Sequence, residues 1–197
     1  TKLFLDFIFL DVDERKKFAQ NSHEYLIEQT QFIKTTLNTR NEIRFNHAIK
    51  EIIWCCRNEN VGKESITNID ATANKVNDAM NNGNDYFNYS TLSNINAEYV
   101  GGYVSNEPFS HGVLSFNGID RFSKQRASYF RTIQPLNYHS RVPTKHIYCY
   151  SFALQPEKHQ PTGTANFSRL HSSVLHLDNI TTDPTELLVF AKNYNVL

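Results

Sequence analysis

Eight histidines, three cysteines and a scatter of serines give this 197-residue chain its capacity for chemistry. Cys149 lies three residues from His146 and has the composition of a nucleophile with its base. Both fall in the apolar run 146–154, however, and an odd separation puts them on opposite faces of a strand, where Cys149 serves as a small buried hydrophobe. His171 and His176 stand five apart in a predicted strand, 165–177, and also point to opposite faces, so they do not chelate one ion. A metal-dependent cupin would need strand histidines clustered as His-x-His with a carboxylate, a pattern absent from the chain. Ser110-His111 and Ser168 lack a G-x-S-x-G elbow. Gly101-Gly102 and Gly118 are too isolated for a phosphate loop, and there is no G-K-[ST]. Adjacent Cys55 and Cys56 with distant Cys149 supply neither a disulfide framework nor closely spaced zinc ligands, so reduced thiols are expected. No catalytic, cofactor-binding or metal-binding residue is assigned, and no cofactor is expected.

Arg121, Lys124, Arg126 and Arg131 form a basic run broken by Phe122, Tyr129 and Phe130. Aromatics among cations can hold single-stranded nucleic acid. Here Lys+Arg 20 balances Asp+Glu 20, so no net field draws a polyanion. The run is better read as a strand with a charged outer face, a mixture that also suits subunit contacts. Asn88, Asn166 and Asn179 begin N-x-[ST] triplets; chance occurrence is the preferred reading. No stretch approaches the roughly 18 apolar residues of a membrane helix, and the apolar start at 3–10 is too short and too acidic at Asp6 for a signal peptide.

The elements that would carry these residues are mostly strands, in keeping with 13% aromatic residues, Tyr 10 and Phe 14. Residues 3–10 are apolar at nearly every position, as in a strand covered on both faces. Asp11 and Glu14 have capping-box spacing before a short helix at 13–20. Strands are predicted at 24–33, 43–57, 111–119, 127–133, 146–154, 165–177 and 186–194, with a polar hairpin around 37–41. Between them lies an asparagine-rich loop region, 58–106, with a weak helix pattern at 70–80. The block 150–169 gathers Glu157, His159, Ser168 and Arg169 in a way that suggests an active segment. Its alternation and its prolines instead make it a strand, a stop between Pro156 and Pro161, and a second strand entered through Gly163.

That block, Tyr150-Ser-Phe-Ala-Leu-Gln-Pro-Glu-Lys-His-Gln-Pro-Thr-Gly-Thr-Ala-Asn-Phe-Ser-Arg169, resembles the major capsid proteins of nucleocytoplasmic large DNA viruses, the double jelly-roll family of iridovirus, phycodnavirus and mimivirus-like shells. Four more blocks fall in family order. They are Phe7-Ile-Phe-Leu-Asp-Val-Asp-Glu-Arg-Lys-Lys-Phe-Ala-Gln20 with His23-Glu-Tyr-Leu-Ile-Glu-Gln29; Phe116-Asn-Gly-Ile-Asp-Arg-Phe122; Tyr129-Phe130 with Gln134-Pro135; and Ala191-Lys-Asn-Tyr-Asn-Val-Leu197. The chain departs from the family at Ala165, where many relatives carry Cys, and at Leu170-His171, where they carry Ile-Asp.

The resemblance implies an all-β fold, an antiparallel eight-stranded jelly-roll sandwich that is the second jelly roll of a double jelly-roll protein. Residues 1–12 would be the last strand of a preceding jelly roll, 13–23 a linker with a short helix, and 24–197 the C-terminal jelly roll with 58–106 as its long surface loop. The missing initiator methionine, and the absence of the family's glycine-rich tail, lead to the expectation that the chain is a piece of a longer protein. The implied function is a structural, non-enzymatic subunit of an icosahedral capsid, forming pseudo-hexameric homotrimers that tile the shell. Its implied partners are its own copies, neighbouring capsomers, minor capsid proteins and an internal membrane beneath the shell, without direct nucleic-acid contact. It would be made and assembled in host cytoplasm and reside in the virion. The alternative is a jelly-roll module binding glycans or a receptor through Tyr86, Phe87, Tyr89 and Tyr99.

Overall fold

A computed structural model describes residues 2–57, 107–180 and 186–197. The order is helix α1 (Val12–Gln20), β1 (Leu26–Thr36), β2 (Arg40–Glu42), β3 (Ala48–Arg57), β4 (His111–Phe116), β5 (Ile119–Asp120) and β6 (Gln125–Arg126). A π-helical turn (Tyr129–Ile133) then leads into α2 (Gln134–Tyr138), β7 (Tyr148–Ser151), β8 (Ala165–Asn166), a 3-10 turn (Phe167–Arg169), β9 (Ser173–Asp178) and β10 (Glu186–Val196). One sheet runs β1-β10-β3-β7 with β8 beside β3, and the other runs β2-β9-β4-β5 with β6 beside β4. All pairs are antiparallel, and they nest: β1 with β10, β2 with β9, β3 with β8. Each inward step switches sheets, so the chain behaves as one long hairpin rolled into a sandwich, which is jelly-roll winding.

Alternation along the strands fills the space between the sheets. Ile52, Trp54 and Cys56 of β3, Leu187, Val189 and Ala191 of β10, and Leu175 and Leu177 of β9 all join the buried core. Trp54 is its centre, with the Phe130 ring at 5.1 Å and the Tyr148 ring stacked at 6.0 Å. Asn117 (φ 52) and Gly118 (φ 81) close the β4–β5 hairpin as a two-residue turn with both residues left-handed, which matches the twist of the strands.

The jelly-roll expectation is borne out, with several corrections. Ten strands stand among the described residues rather than eight. The hairpin expected at 37–41 does not form. Instead β1 pairs with β10 while the chain crosses to the second sheet as β2. Buried Asn41 fixes that corner, accepting from the Asn38 N–H (2.9 Å) and donating to the Leu175 carbonyl (3.2 Å). The strand expected at 127–133 is instead the π-helical turn, because a helical turn lets Phe130 reach Trp54 and places Pro135 in the first turn of α2, where its missing N–H costs nothing. Buried Gln134 ties this turn to the sheet, its amide donating to Tyr129 Oη (2.8 Å) and its carbonyl accepting from Ser151 N–H (3.1 Å). The strand expected at 165–177 is broken by the 3-10 turn, which the Asn166 side chain caps by accepting from Ser168 N–H.

The strand expected at 3–10 is also not formed. Residues 2–10 have no regular secondary structure and expose their apolar side chains, Phe9 at 93%. A strand needs a neighbour for its backbone groups, and among the described residues these have none. Helix α1 starts one residue before its expected first position, capped by Asp11, whose side chain accepts from Glu14 N–H at 2.8 Å. The helix pattern at 70–80 and the loop region 58–106 lie outside the described residues.

Candidate functional site: the outer face of the first sheet

The residues with nucleophilic or metal-binding chemistry are held apart by the fold. His171 stands outside β9, where its backbone N–H donates to Asn117 Oδ1, while His176 lies in β9 with Nε2 3.1 Å from Ser115 Oγ. Ser110 Oγ is 3.1 Å from His111 Nδ1, but the hydroxyl is already engaged by the Asp178 carbonyl (3.2 Å) and the Asn179 amide (3.0 Å). Ser168 Oγ accepts from His47 N–H at 2.7 Å. His146 precedes β7 rather than sharing it with Cys149, and its Nε2 faces Glu107 at 3.9 Å. Cys149 is buried, and burial pushes its thiol up to about 12. Among the described residues no three His, Cys, Asp or Glu side chains converge as metal ligands.

Two of the four cations of the basic run are taken up by structure, while Arg121 and Arg126 stay exposed. Lys124 pairs with Asp178 at 2.5 Å and Arg131 with Glu107 at 2.7 Å, and Glu107 also accepts from Tyr148 Oη at 2.5 Å. Phe130 is buried, and Phe122 packs on the core stacked over Tyr150 at 4.6 Å, so these rings are not free for bases. Asn166 Oδ1 caps its local turn, and Asn179 Nδ2 donates to Ser110. Asn88, Gly101-Gly102 and the aromatics Tyr86, Phe87, Tyr89 and Tyr99 lie outside the described residues.

What the fold does build is a banded wall on the outer face of the first sheet. Register places Phe32, Phe190, Ile53 and Cys149 side by side in one row across β1, β10, β3 and β7. The Phe32 and Phe190 rings lie 4.8 Å apart, and Phe32 remains 53% exposed. The next row, Lys34–Leu188–Cys55, extends the apolar band, and the one beyond it ends in charge, with Glu186 paired to Lys34 and set 3.9 Å from Arg57.

On the other side of the band lies a larger charge network. Lys192 and Glu51 share a row, and the register shift beside them makes Lys50 the extra residue of a β-bulge. Lys50 is fully buried, with Nζ 2.5 Å from Glu28 Oε1 and 5.3 Å from the Tyr194 ring centre. Its carbonyl accepts from both Phe152 and Ala153 N–H, fixing the end of β7. Lys192 completes the group 3.2 Å from Glu28 Oε2. Burial acts to raise the Glu28 carboxyl, but the bonds from Lys50 and Lys192 outweigh it and hold it below its usual range. Buried Glu51 sits 3.1 Å from His139 Nε2, at the end of α2.

An apolar band flanked by charges that neutralise one another locally is the make-up of a packing surface, because covering it strands no unpaired charge. Sequence reasoning did not identify this band. Its signal was the pair Lys50-Glu51 inside an otherwise apolar strand, which marks the bulge.

Residues 14–197 match the family model described as "Large eukaryotic DNA virus major capsid protein". The chain is 35% identical over 219 residues to the major capsid protein of Pyramimonas orientalis virus, covering 99% of this chain and 45% of that protein. It is 33% identical over 232 residues to the major capsid protein of Paramecium bursaria Chlorella virus 1, covering 99% of this chain and 51% of that one. The chain thus spans about half the length of the curated relatives it matches. Among solved structures it superposes with TM-score 0.70 on PBCV-1 VP54 as fitted into a reconstruction of the virophage Sputnik, at 30% identity over 96% of this chain and 52% of that chain. The Faustovirus major capsid protein shares the fold, with TM-score 0.70 at 17% identity, covering 96% of this chain and 36% of that one. The family model covers residues 14–197 and these relatives match 99% of the chain, so this chain belongs to the major capsid proteins of large eukaryotic DNA viruses.

Proposed function

We propose that this chain is the C-terminal jelly roll of a capsid subunit whose full-length form assembles as a homotrimer of pseudo-hexagonal outline, and that these trimers tile an icosahedral shell. The carrying observation is the likeness over 96% of the chain to the protein of the PBCV-1 virus capsid, at 28% identity and TM-score 0.68. The banded outer face of the first sheet supports it, since Phe32 and its row offer an apolar surface that a neighbouring wall would cover. Residues 1–12 then form the last strand of a preceding jelly roll. The exposed apolar side chains over residues 3–10, interrupted by Asp6, need cover on both faces. Residues 13–23, with a helix that buries no side chain, act as the linker to the jelly roll of 24–197. The role is structural rather than catalytic. Neighbouring capsomers, minor capsid proteins and an internal membrane are the partners, and assembly takes place in host cytoplasm.

Light scattering and cryo-microscopy of the full-length protein test this reading. Particles of three copies with six jelly rolls in a ring are expected. A protein that stays monomeric at every concentration, and in the presence of its shell partners, overturns it.

A further inference from the structure

The loop after β7, residues 154–163, is fastened onto the outer face of the first sheet by a small set of polar contacts. Tyr194 Oη donates to the Lys158 carbonyl at 3.4 Å, and His159 Nδ1 lies 3.6 Å from Glu28. Glu157 accepts from Ser140 N–H (2.9 Å) and Oγ (3.1 Å), and lies 3.5 Å from His139 Nδ1. The other nitrogen of the same ring, Nε2, faces Glu51 at 3.1 Å. One imidazole therefore stands between two carboxylates, one at each nitrogen. A neutral imidazole has a single N–H, so it can serve only one of them while its lone pair confronts the other; the imidazolium serves both. The two carboxylates are unequal. The Glu51 side chain is buried at 5% exposure, whereas that of Glu157 is 49% exposed and can swing out.

We propose that His139 is a proton-operated clasp: with both ring nitrogens protonated it helps hold the 154–163 loop against the sheet, and on losing the Nδ1 proton it leaves Glu157 held by Ser140 alone and loosens the loop. The outer face around it carries Lys50 and Glu51 from β3, Cys149 from β7, Glu28 from β1, Lys192 and Tyr194 from β10, and Glu157, Lys158 and His159 from the loop itself. The close contact with the Glu51 carboxylate raises His139 above the usual imidazole range, against an opposing effect of burial, and the charge of Glu157 acts in the same direction. Bonding from Ser140 N–H holds Glu157 below the usual carboxylate range, so it stays ionised through neutral pH. A histidine raised in the folded state contributes fully below its unfolded value and loses its contribution as pH rises through the folded one. The clasp is therefore closed in mild acid and opens toward mild base.

Hydrogen–deuterium exchange on the full-length protein, corrected for the intrinsic pH dependence of exchange, reads the loop. Histidine C2-proton exchange in the same samples gives the His139 midpoint. Opening of 154–163 is expected to increase by a factor of about 2 to 5 as pH rises through that midpoint, the range for an ion pair that water partly reaches. His139→Gln should abolish the pH dependence, Glu157→Gln should lower the His139 midpoint, and His159→Gln should leave the dependence in place. If His139→Gln does not fold, the wild-type and Glu157→Gln midpoints decide. A flat loop response, a response that survives His139→Gln, or a wild-type midpoint no higher than that of free histidine overturns the clasp.

Discussion

Replacing Gly163 by alanine tests how tightly the turn after the double-proline loop is built. Gly163 has φ 145, and a Cβ there would stand 2.7 Å from the Phe152 carbonyl oxygen and 3.3 Å from Ala153 Cα. Neither neighbour can give way easily, because Phe152 and Ala153 both donate their N–H groups to the Lys50 carbonyl in the bulge of β3. Forcing an L-residue into a glycine-only backbone region costs about 1–3 kcal/mol. Displacing packed neighbours adds about 1–3 kcal/mol. The stiffer unfolded chain returns about 0.4–1 kcal/mol. The net loss of about 1–5 kcal/mol corresponds to a fall in Tm of roughly 2–20 °C for a domain of this size. Gly118→Ala is the internal control: φ is 81 but a Cβ would meet nothing within 4 Å, so only the left-handed backbone cost of about 1–2 kcal/mol applies, less the same offset. Scanning calorimetry of the two variants beside the wild type measures the difference. If Gly163→Ala melts no lower than Gly118→Ala, the close approach to Phe152 is not a constraint and the reasoning fails.

Asp11→Ala removes the N-cap of α1, worth about 0.5–2 kcal/mol, and because that helix buries no residue the loss should show as faster amide exchange at 12–20 with an unchanged barrel Tm; a lower barrel Tm would mean the helix is coupled to the core. Burial pushes the Cys55 thiol up to about 11 and that of Cys149 up to about 12, and raises Cys56 further. All three should therefore resist iodoacetamide at pH 8 in the native protein and react on unfolding, and rapid native labelling of any of them would contradict the burial.

The mainly β character was legible because it depends on patterns one strand long, such as the apolar alternation over 146–154 and the prolines that stop the chain after β7, whereas the jelly roll itself was implied by the family resemblance. Sheet order was not legible, since pairing β1 with β10 rather than β2 is decided by residues some 160 positions apart that meet only in the folded chain. The strand expected at 127–133 shows tertiary context overriding local preference. Tyr, Phe, Thr and Ile favour strands, but the burial of Phe130 against Trp54 and the bonds of Gln134 outweigh that preference. The outer face was hidden for a related reason. Phe32, Phe190, Ile53 and Cys149 are unremarkable one at a time and become a band only when register aligns them. His139 and Glu157 were likewise visible as types but not as neighbours, because the loop that joins them to Glu51 returns from beyond β7.

The pairing of β1 with β10 also determines when this domain can fold. β10, an interior strand of the first sheet, is the last of the described strands in chain order, and it supplies the hydrogen-bond partners of both β1 and β3, from Leu26↔Val196 to Thr36↔Glu186 on one side and along Arg57 to Ala48 on the other. Until residues 186–196 join, β1 lacks its strand partner and β3 keeps one open edge, and closure then requires loops of well over a hundred residues, the costly non-local kind. Folding of the sandwich thus passes through a sticky, open-sheeted stage in which neighbouring chains compete with its own β10.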